Sequence, residues 1–146
     1  MLTTETIEKL ENSPISSFGD LNEICIQFMK NLGVSENTGF FDVHKYGGWL
    51  PTSNGGGALY PLGQIMNNLE KGWGLEGLED FALEQDLITK FIRMDSIEGE
   101  FSYYYEVDSD CVHVCHWGGE EEMISHRKSA KFKTSYDFFN WFYRSE

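Results

Sequence analysis

An α+β fold, with a mostly antiparallel twisted sheet, helices at the N-terminus and a packed C-terminal helix, is what this sequence predicts. Three observations carry the prediction. Residues 20–32 place apolar side chains at helical spacing. Between residues 87 and 117 the apolar period changes to two. Residues 134–143 close the chain with an aromatic helical face that has to be buried, and a sheet is the natural surface for it. The 146 residues fit one domain, 1–146, large enough to fold without a disulfide or a metal.

Residues 3–12 read as a short helix carrying Ile7 and Leu10, broken at Asn12, Ser13 and Pro14. The next helix is the clearest. Asp20 can cap it, Glu23 completes a capping-box pattern, and Leu21, Ile24, Cys25, Phe28, Met29 and Leu32 form one apolar face. Gly33 then supplies the left-handed residue with which helices end.

Phe40, Phe41 and Val43 are expected to open a strand. Gly47-Gly48 and Asn54-Gly55-Gly56-Gly57 flank Trp49-Leu50-Pro51 and mark turns. Pro61 suits the first turn of a helix whose face is Leu62, Ile65, Met66 and Leu69, ended by Gly72 and Gly74. Residues 75–86 are acidic and hold at most a helical turn.

Residues 87–94 read as a strand, with a turn at Glu98-Gly99. Phe101, Tyr103, Tyr105 and Val107 alternate with Ser102, Tyr104 and Glu106, the pattern of a half-buried strand. Asp108-Ser109-Asp110 turns the chain into a strand at 111–117, and residues 123–126 and 130–134 are expected as a last pair of short strands. Thr134 caps the closing helix, with Asp137 at its third position and Phe138, Phe139 and Phe142 on one face.

The net charge is −13, unevenly spread: 15 acidic residues between Glu70 and Glu122 face only Lys71, Lys90 and Arg93, a net of −12. Such a surface repels phosphate backbones and anionic membranes, so direct nucleic-acid binding and membrane binding are not expected. It complements a basic protein, although surplus Asp and Glu also serve solubility. The three cysteines, Cys25, Cys111 and Cys115, are an odd number without framework spacing, as in a reducing compartment. MLTTETIEKL has neither a basic nor an apolar targeting segment, and no apolar run reaches 18 residues. The expected location is the cytoplasm.

Cys111, His113, Cys115 and His116 are the nearest approach to a metal cluster. On a strand the first three share a face and His116 takes the other, and three ligands in a straight row cannot close on one zinc without a bend. Packing of the cysteines as small hydrophobes is the competing reading. The glycine run at 54–57 lacks the Gly-Lys-Ser/Thr ending of a phosphate loop, no GxSxG elbow is present, and Asp108-Ser109-Asp110 lacks the Gly and Glu of a calcium loop. No catalytic, cofactor-binding or metal-ligating residue is assigned. The Glu120-Glu121-Glu122 loop beside Trp117 reads either as a partner epitope or as a solvated loop over a core Trp. Asp108, Asp110, Trp117, Glu120, Glu121 and Glu122 are the candidate partner contacts.

Three stretches resemble the SUKH superfamily, which groups yeast Smi/Knr-type regulators with bacterial immunity proteins. They are Tyr46-Gly47-Gly48 followed by Asn54 to Ile65; the strands through Tyr103-Tyr104-Tyr105-Glu106-Val107 and Val112-His113; and Thr134 to Phe142, similar to that family's closing helix. The resemblance spans about residues 20–143. It implies a non-enzymatic protein-binding module. The leading expectation is an immunity protein that binds and blocks a basic, nuclease-type toxin domain. The alternatives are an adaptor or regulatory domain with no toxin partner, and a small metal-binding protein or enzyme using the Cys/His strand.

Overall fold

The computed structural model describes residues 1–12, 19–45, 50–54, 57–71, 90–95, 101–116 and 118–145, and for residues 19–22 the backbone alone. Within them the architecture is α+β, as predicted: six helices and a three-stranded antiparallel sheet of order β1-β2-β3. The breaks at Ser13 and Pro14, the glycines at 47–48, 55–56, 72 and 74, the turn at 75–86, the strand residues 87–89, the Glu98-Gly99 turn and Trp117 lie outside the described residues.

Helix α1 spans Thr4–Glu11, and Thr3 Oγ1 caps it by accepting the Thr6 N–H at 3.2 Å. Its inward positions are Thr6 and Leu10, joined by the buried Leu2 ahead of the cap, and Ile7 is left 38% exposed. The reason is angular: the stripe centred on Thr6 and Leu10 turns Ile7 outward. Helix α2, Gly19–Leu32, starts two residues earlier than a cap at Asp20 implies, so Asp20 lies inside the first turn. Cys25 and Met29 are buried, Phe28 and Leu32 pack against the core, and Ile24 is 52% exposed at the margin of the stripe. Gly33, at φ +91°, ends α2 with its N–H on Lys30 O and the Val34 N–H on Met29 O, a Schellman closure.

The expected strand at Phe40–Val43 is a helix, α3, Gly39–His44. Thr38 decides it, since its hydroxyl accepts the Phe41 N–H and donates to Ser35 O. A short apolar run fits either state until its ends are tied. Helix α4 is Leu62–Glu70, with Pro61 as its cap residue just outside the first turn; Leu62 and Ile65 are buried, and Met66 and Leu69 pack on the core.

The strands are β1 Phe91–Arg93, β2 Phe101–Glu106 and β3 Cys111–His116. Strand β2 pairs with β3 from Phe101↔His116 to Glu106↔Cys111, and with β1 from Phe91↔Glu106 to Arg93↔Tyr104. The half-buried alternation expected of β2 is not what forms. Ser102, Tyr104 and Glu106 are buried like Tyr103 and Tyr105, and only Phe101 is exposed. Both sheet faces are covered.

Instead of the two expected strands after residue 120, the chain forms helix α5, Glu120–Ile124, and only Phe132 meets the sheet, in one bridge to Val112. Three carboxylates in a first turn favour a helix electrostatically. Helix α6, Ser135–Phe142, is capped by Thr134 Oγ1, which accepts the Asp137 N–H at 3.2 Å.

On one face of the sheet, Ile92, Tyr103, Tyr105 and Val112 join α2, α3, α4 and the aromatic face of α6 in the main core. Phe40 stacks on Tyr105 at 4.2 Å, and Phe138 meets Tyr103 at 5.0 Å. On the other face a smaller cluster holds Phe91, Tyr104, Cys115 and Met123 of α5. The two ends of the chain meet: Asn140 accepts the Thr3 N–H at 2.8 Å and donates to Met1 O at 3.0 Å, and Ser145 donates to Glu5. Among the described residues no helix is long and apolar enough to cross a membrane.

Candidate functional site

The polar chemistry of the molecule gathers on the second sheet face. The β2–β3 hairpin sets Glu106 opposite Cys111, and alternation along β3 puts His113 on the same side as Cys111. Asp110, in the left-handed region at φ +53°, closes the turn between them. Ser109 in that turn donates from Oγ to Glu106 Oε2 at 2.5 Å. His113 Nε2 lies 2.9 Å from Glu106 Oε1, with Cys111 Sγ 3.6 Å from the same nitrogen and 3.9 Å from the same oxygen. His126, beyond α5 and at φ +58°, brings Nε2 to 3.4 Å from both carboxylate oxygens. The His113 and Glu106 side chains are only 6% and 11% exposed, whereas that of His126 is 65% exposed, so the group is buried with one wet edge.

The electrostatics follow from these contacts. Burial pushes the Glu106 carboxyl up, but hydrogen bonds from Ser109, His113 and His126 and the charge of His113 outweigh it, and the net shift is down. Burial pushes the Cys111 thiol up, reinforced by the Glu106 charge and only partly offset by the Ser109 bond. A thiol displaced in that direction is the reverse of an activated nucleophile. The hydrogen bonding is also unlike a nucleophile–base–orienter relay, because thiol and carboxylate converge on one ring nitrogen instead of taking one each. What the three groups do offer is a carboxylate oxygen, a thiol sulfur and an imidazole nitrogen within 4.8 Å of one another, a donor set for a metal ion.

Of the four Cys/His residues on this strand, the structure brings together Cys111 and His113. Cys115 sits in the small apolar cluster, its thiol raised to about 11 by burial and then by the Glu120 charge. His116 is exposed, edge-on to Phe101. An open cleft of about 280 Å³ runs between β3 and α5, lined by His113, Cys115, His116, Gly119, Glu122 and Lys128 among others; Glu106 and Cys111 are not in its lining.

The candidate partner contacts do not share one environment. Asp108 is exposed and pairs with Lys90 at 2.9 Å. Asp110 is half-buried and accepts hydrogen bonds from Tyr105 and Ser135. Glu120 is buried at the start of α5, while Glu121 and Glu122 are exposed, with Glu121 4.0 Å from Arg127. The expected acidic loop at 120–122 is therefore a helical turn with one carboxylate inside.

Glu106, Ser109 and His126 escape the sequence reading. For Glu106 a signal exists: with a four-residue turn at 107–110, positions 106 and 111 must face each other. His126 comes from a separate segment and has no such signal. Comparison of the chain with protein-family models, with curated proteins and with solved structures finds no match.

Proposed function

We propose that this chain is a non-enzymatic protein-binding module of the cytoplasm, an immunity-type protein that neutralises a basic, nuclease-type toxin domain by covering it. The observation that carries the reading is the charge: −13 over the chain, with a net of −12 between Glu70 and Glu122. In that stretch Asp108, Glu121 and Glu122 stand exposed. A negative exterior competes for the positive groove that a nuclease offers to a phosphate backbone, and it accelerates encounter. The immunity role is supplied by the SUKH resemblance of the sequence, and an α+β architecture is compatible with it.

The test is co-expression with the products of adjacent reading frames, followed by association kinetics on any pair in which the chain rescues growth. The expected result is rescue, with an association rate that falls by about tenfold or more from low to high ionic strength. A rate indifferent to salt removes the steering mechanism. Absence of any toxic neighbour that the chain rescues removes the immunity role and leaves the adaptor reading.

A further inference from the structure

We propose that Glu106, Cys111 and His113 form a site for one divalent transition-metal ion of zinc type, on the sheet face away from the main core. The argument begins with three ligand atoms, one from each residue, that lie within 4.8 Å of one another. His113 Nε2 is approached by Glu106 Oε1 at 2.9 Å and by Cys111 Sγ at 3.6 Å, and it carries either one proton or one lone pair. As a donor it serves the Glu106 carboxylate, and the Cys111 thiol then turns to Ser109 Oγ at 3.5 Å and Glu106 Oε1 at 3.9 Å. A cation at the centre satisfies all three donors at once.

The dimensions agree. Metal–ligand distances of about 2.0–2.3 Å in a tetrahedron require donor–donor edges of roughly 3.3–3.7 Å. The three edges here are 2.9, 3.6 and 3.9 Å, so adjustments of a few tenths of an ångström admit the ion. The straight-row objection to Cys111, His113 and Cys115 does not apply, because the third ligand comes from the neighbouring strand. One sulfur, one nitrogen and one oxygen suit a borderline ion such as Zn²⁺ better than Mg²⁺ or Ca²⁺, which take oxygen.

The surroundings are those of a supported site. Ser109 holds Glu106 Oε2, which leaves Oε1 as a single-oxygen ligand. The exposed His126 ring, 3.4 Å from the carboxylate, stands at the wet edge, where a fourth ligand or a water completes the tetrahedron.

The experiment uses the full chain, reduced and stripped of metal, titrated with Co²⁺ and then Zn²⁺. One equivalent of Co²⁺ is expected to give a thiolate-to-cobalt charge-transfer band and the strong visible absorption of a tetrahedral ion, both displaced by Zn²⁺. Cys111→Ser should abolish the charge-transfer band and weaken binding at least about tenfold, while Cys25→Ser and Cys115→Ser retain both. Should Cys111→Ser fail to fold, Glu106→Gln is the second variant, expected to keep the band and to need at least about tenfold more metal to develop it. The proposal is overturned by a wild-type chain that shows no charge-transfer band at one equivalent, or by a band that survives in Cys111→Ser. Binding that is superstoichiometric and indifferent to these variants overturns it as well, since surface carboxylates then account for the uptake.

Discussion

Ser135 and Asp110, 25 residues apart, are joined by a 2.6 Å hydrogen bond in which the serine Oγ donates to Asp110 Oδ1. The same serine oxygen accepts the Phe40 N–H at 2.9 Å, and Asp110 Oδ1 also accepts the Tyr105 hydroxyl at 2.8 Å. One completely buried hydroxyl thus ties the start of α3, the first residue of α6 and the β2–β3 turn together. Ser135→Ala leaves the buried Phe40 N–H without its acceptor and should cost about 1–3 kcal/mol. The check is a urea midpoint that falls while the slope of the transition stays the same.

Gly39 is where α3 and α6 touch backbone to backbone. A Cβ placed there meets Tyr136 N at 2.5 Å and Ser135 C at 2.7 Å, and neither atom can swing aside. Gly39→Ala should therefore destabilise by about 2 kcal/mol or more, the scale of a forced overpacking. A Cβ added at Gly63, inside α4, meets nothing within 4 Å, so Gly63→Ala should instead stabilise by about 0.5–1 kcal/mol. Thermal unfolding of the pair decides it, and equal shifts of the same sign would contradict the packing described.

Asp95 accepts the Tyr103 N–H at 2.8 Å, and burial pushes its carboxyl up to about 6 against the pull of that N–H and of Arg93. A folded pKa above the ordinary 3.8 favours folding fully only below pH 3.8, and the contribution is lost as pH rises to 6. Asp95→Asn keeps an acceptor oxygen and removes the charge. It should raise stability at pH 7 by about 1 kcal/mol, less than the whole shift implies because water screens a half-buried group, and change little at pH 3.5. Unfolding followed at both pH values is the measurement.

His44 runs the opposite way. It is buried against the rings of Phe40 and Phe139, and burial pushes its pKa from 6.5 down to about 3. Its contribution is complete above pH 6.5 and is lost as pH falls toward 3, because the unfolded chain takes up the proton first. Part of the acid sensitivity of the fold, on the order of a few kcal/mol, should come from this one ring. His44→Leu is expected to flatten the stability profile between pH 6 and pH 4, and an unchanged slope would count against a neutral buried imidazole.

All three thiols are buried, and burial raises each of them above its usual range. In the metal-free native protein at pH 8, a disulfide reagent should label them at least about a hundredfold more slowly than the unfolded chain, at a rate set by opening of the structure. Fast labelling of Cys25 would show that α2 leaves the core far more readily than its packing implies.

The amphipathic signal of α2 and the capping signal of α6 are strong enough to be read from sequence, although the cap expected at Asp20 is not where α2 starts. Phe40–His44 is not legible in the same way. Its β-forming residues become a helix through the Thr38 cap, a local signal that the sequence reading passes over, and through burial around them, a consequence of tertiary structure. Glu106 is hidden by its own alternation: a polar residue every second position looks solvated, and only the covering of the second sheet face by α5 and His126 places the carboxylate inside. Half of the candidate site, Cys111 and His113, is visible as a Cys-x-His pair on a strand. The other half depends on which strand lies beside it and on a loop returning from residue 126.

Asn140 grips the Thr3 N–H and the Met1 carbonyl across separations of 137 and 139 residues. A ribosome delivers α1 long before Asn140, so the bonds that hold residues 1 and 3 can form only once α6 has been made. Docking of α1 is consequently tied to the completion of α6.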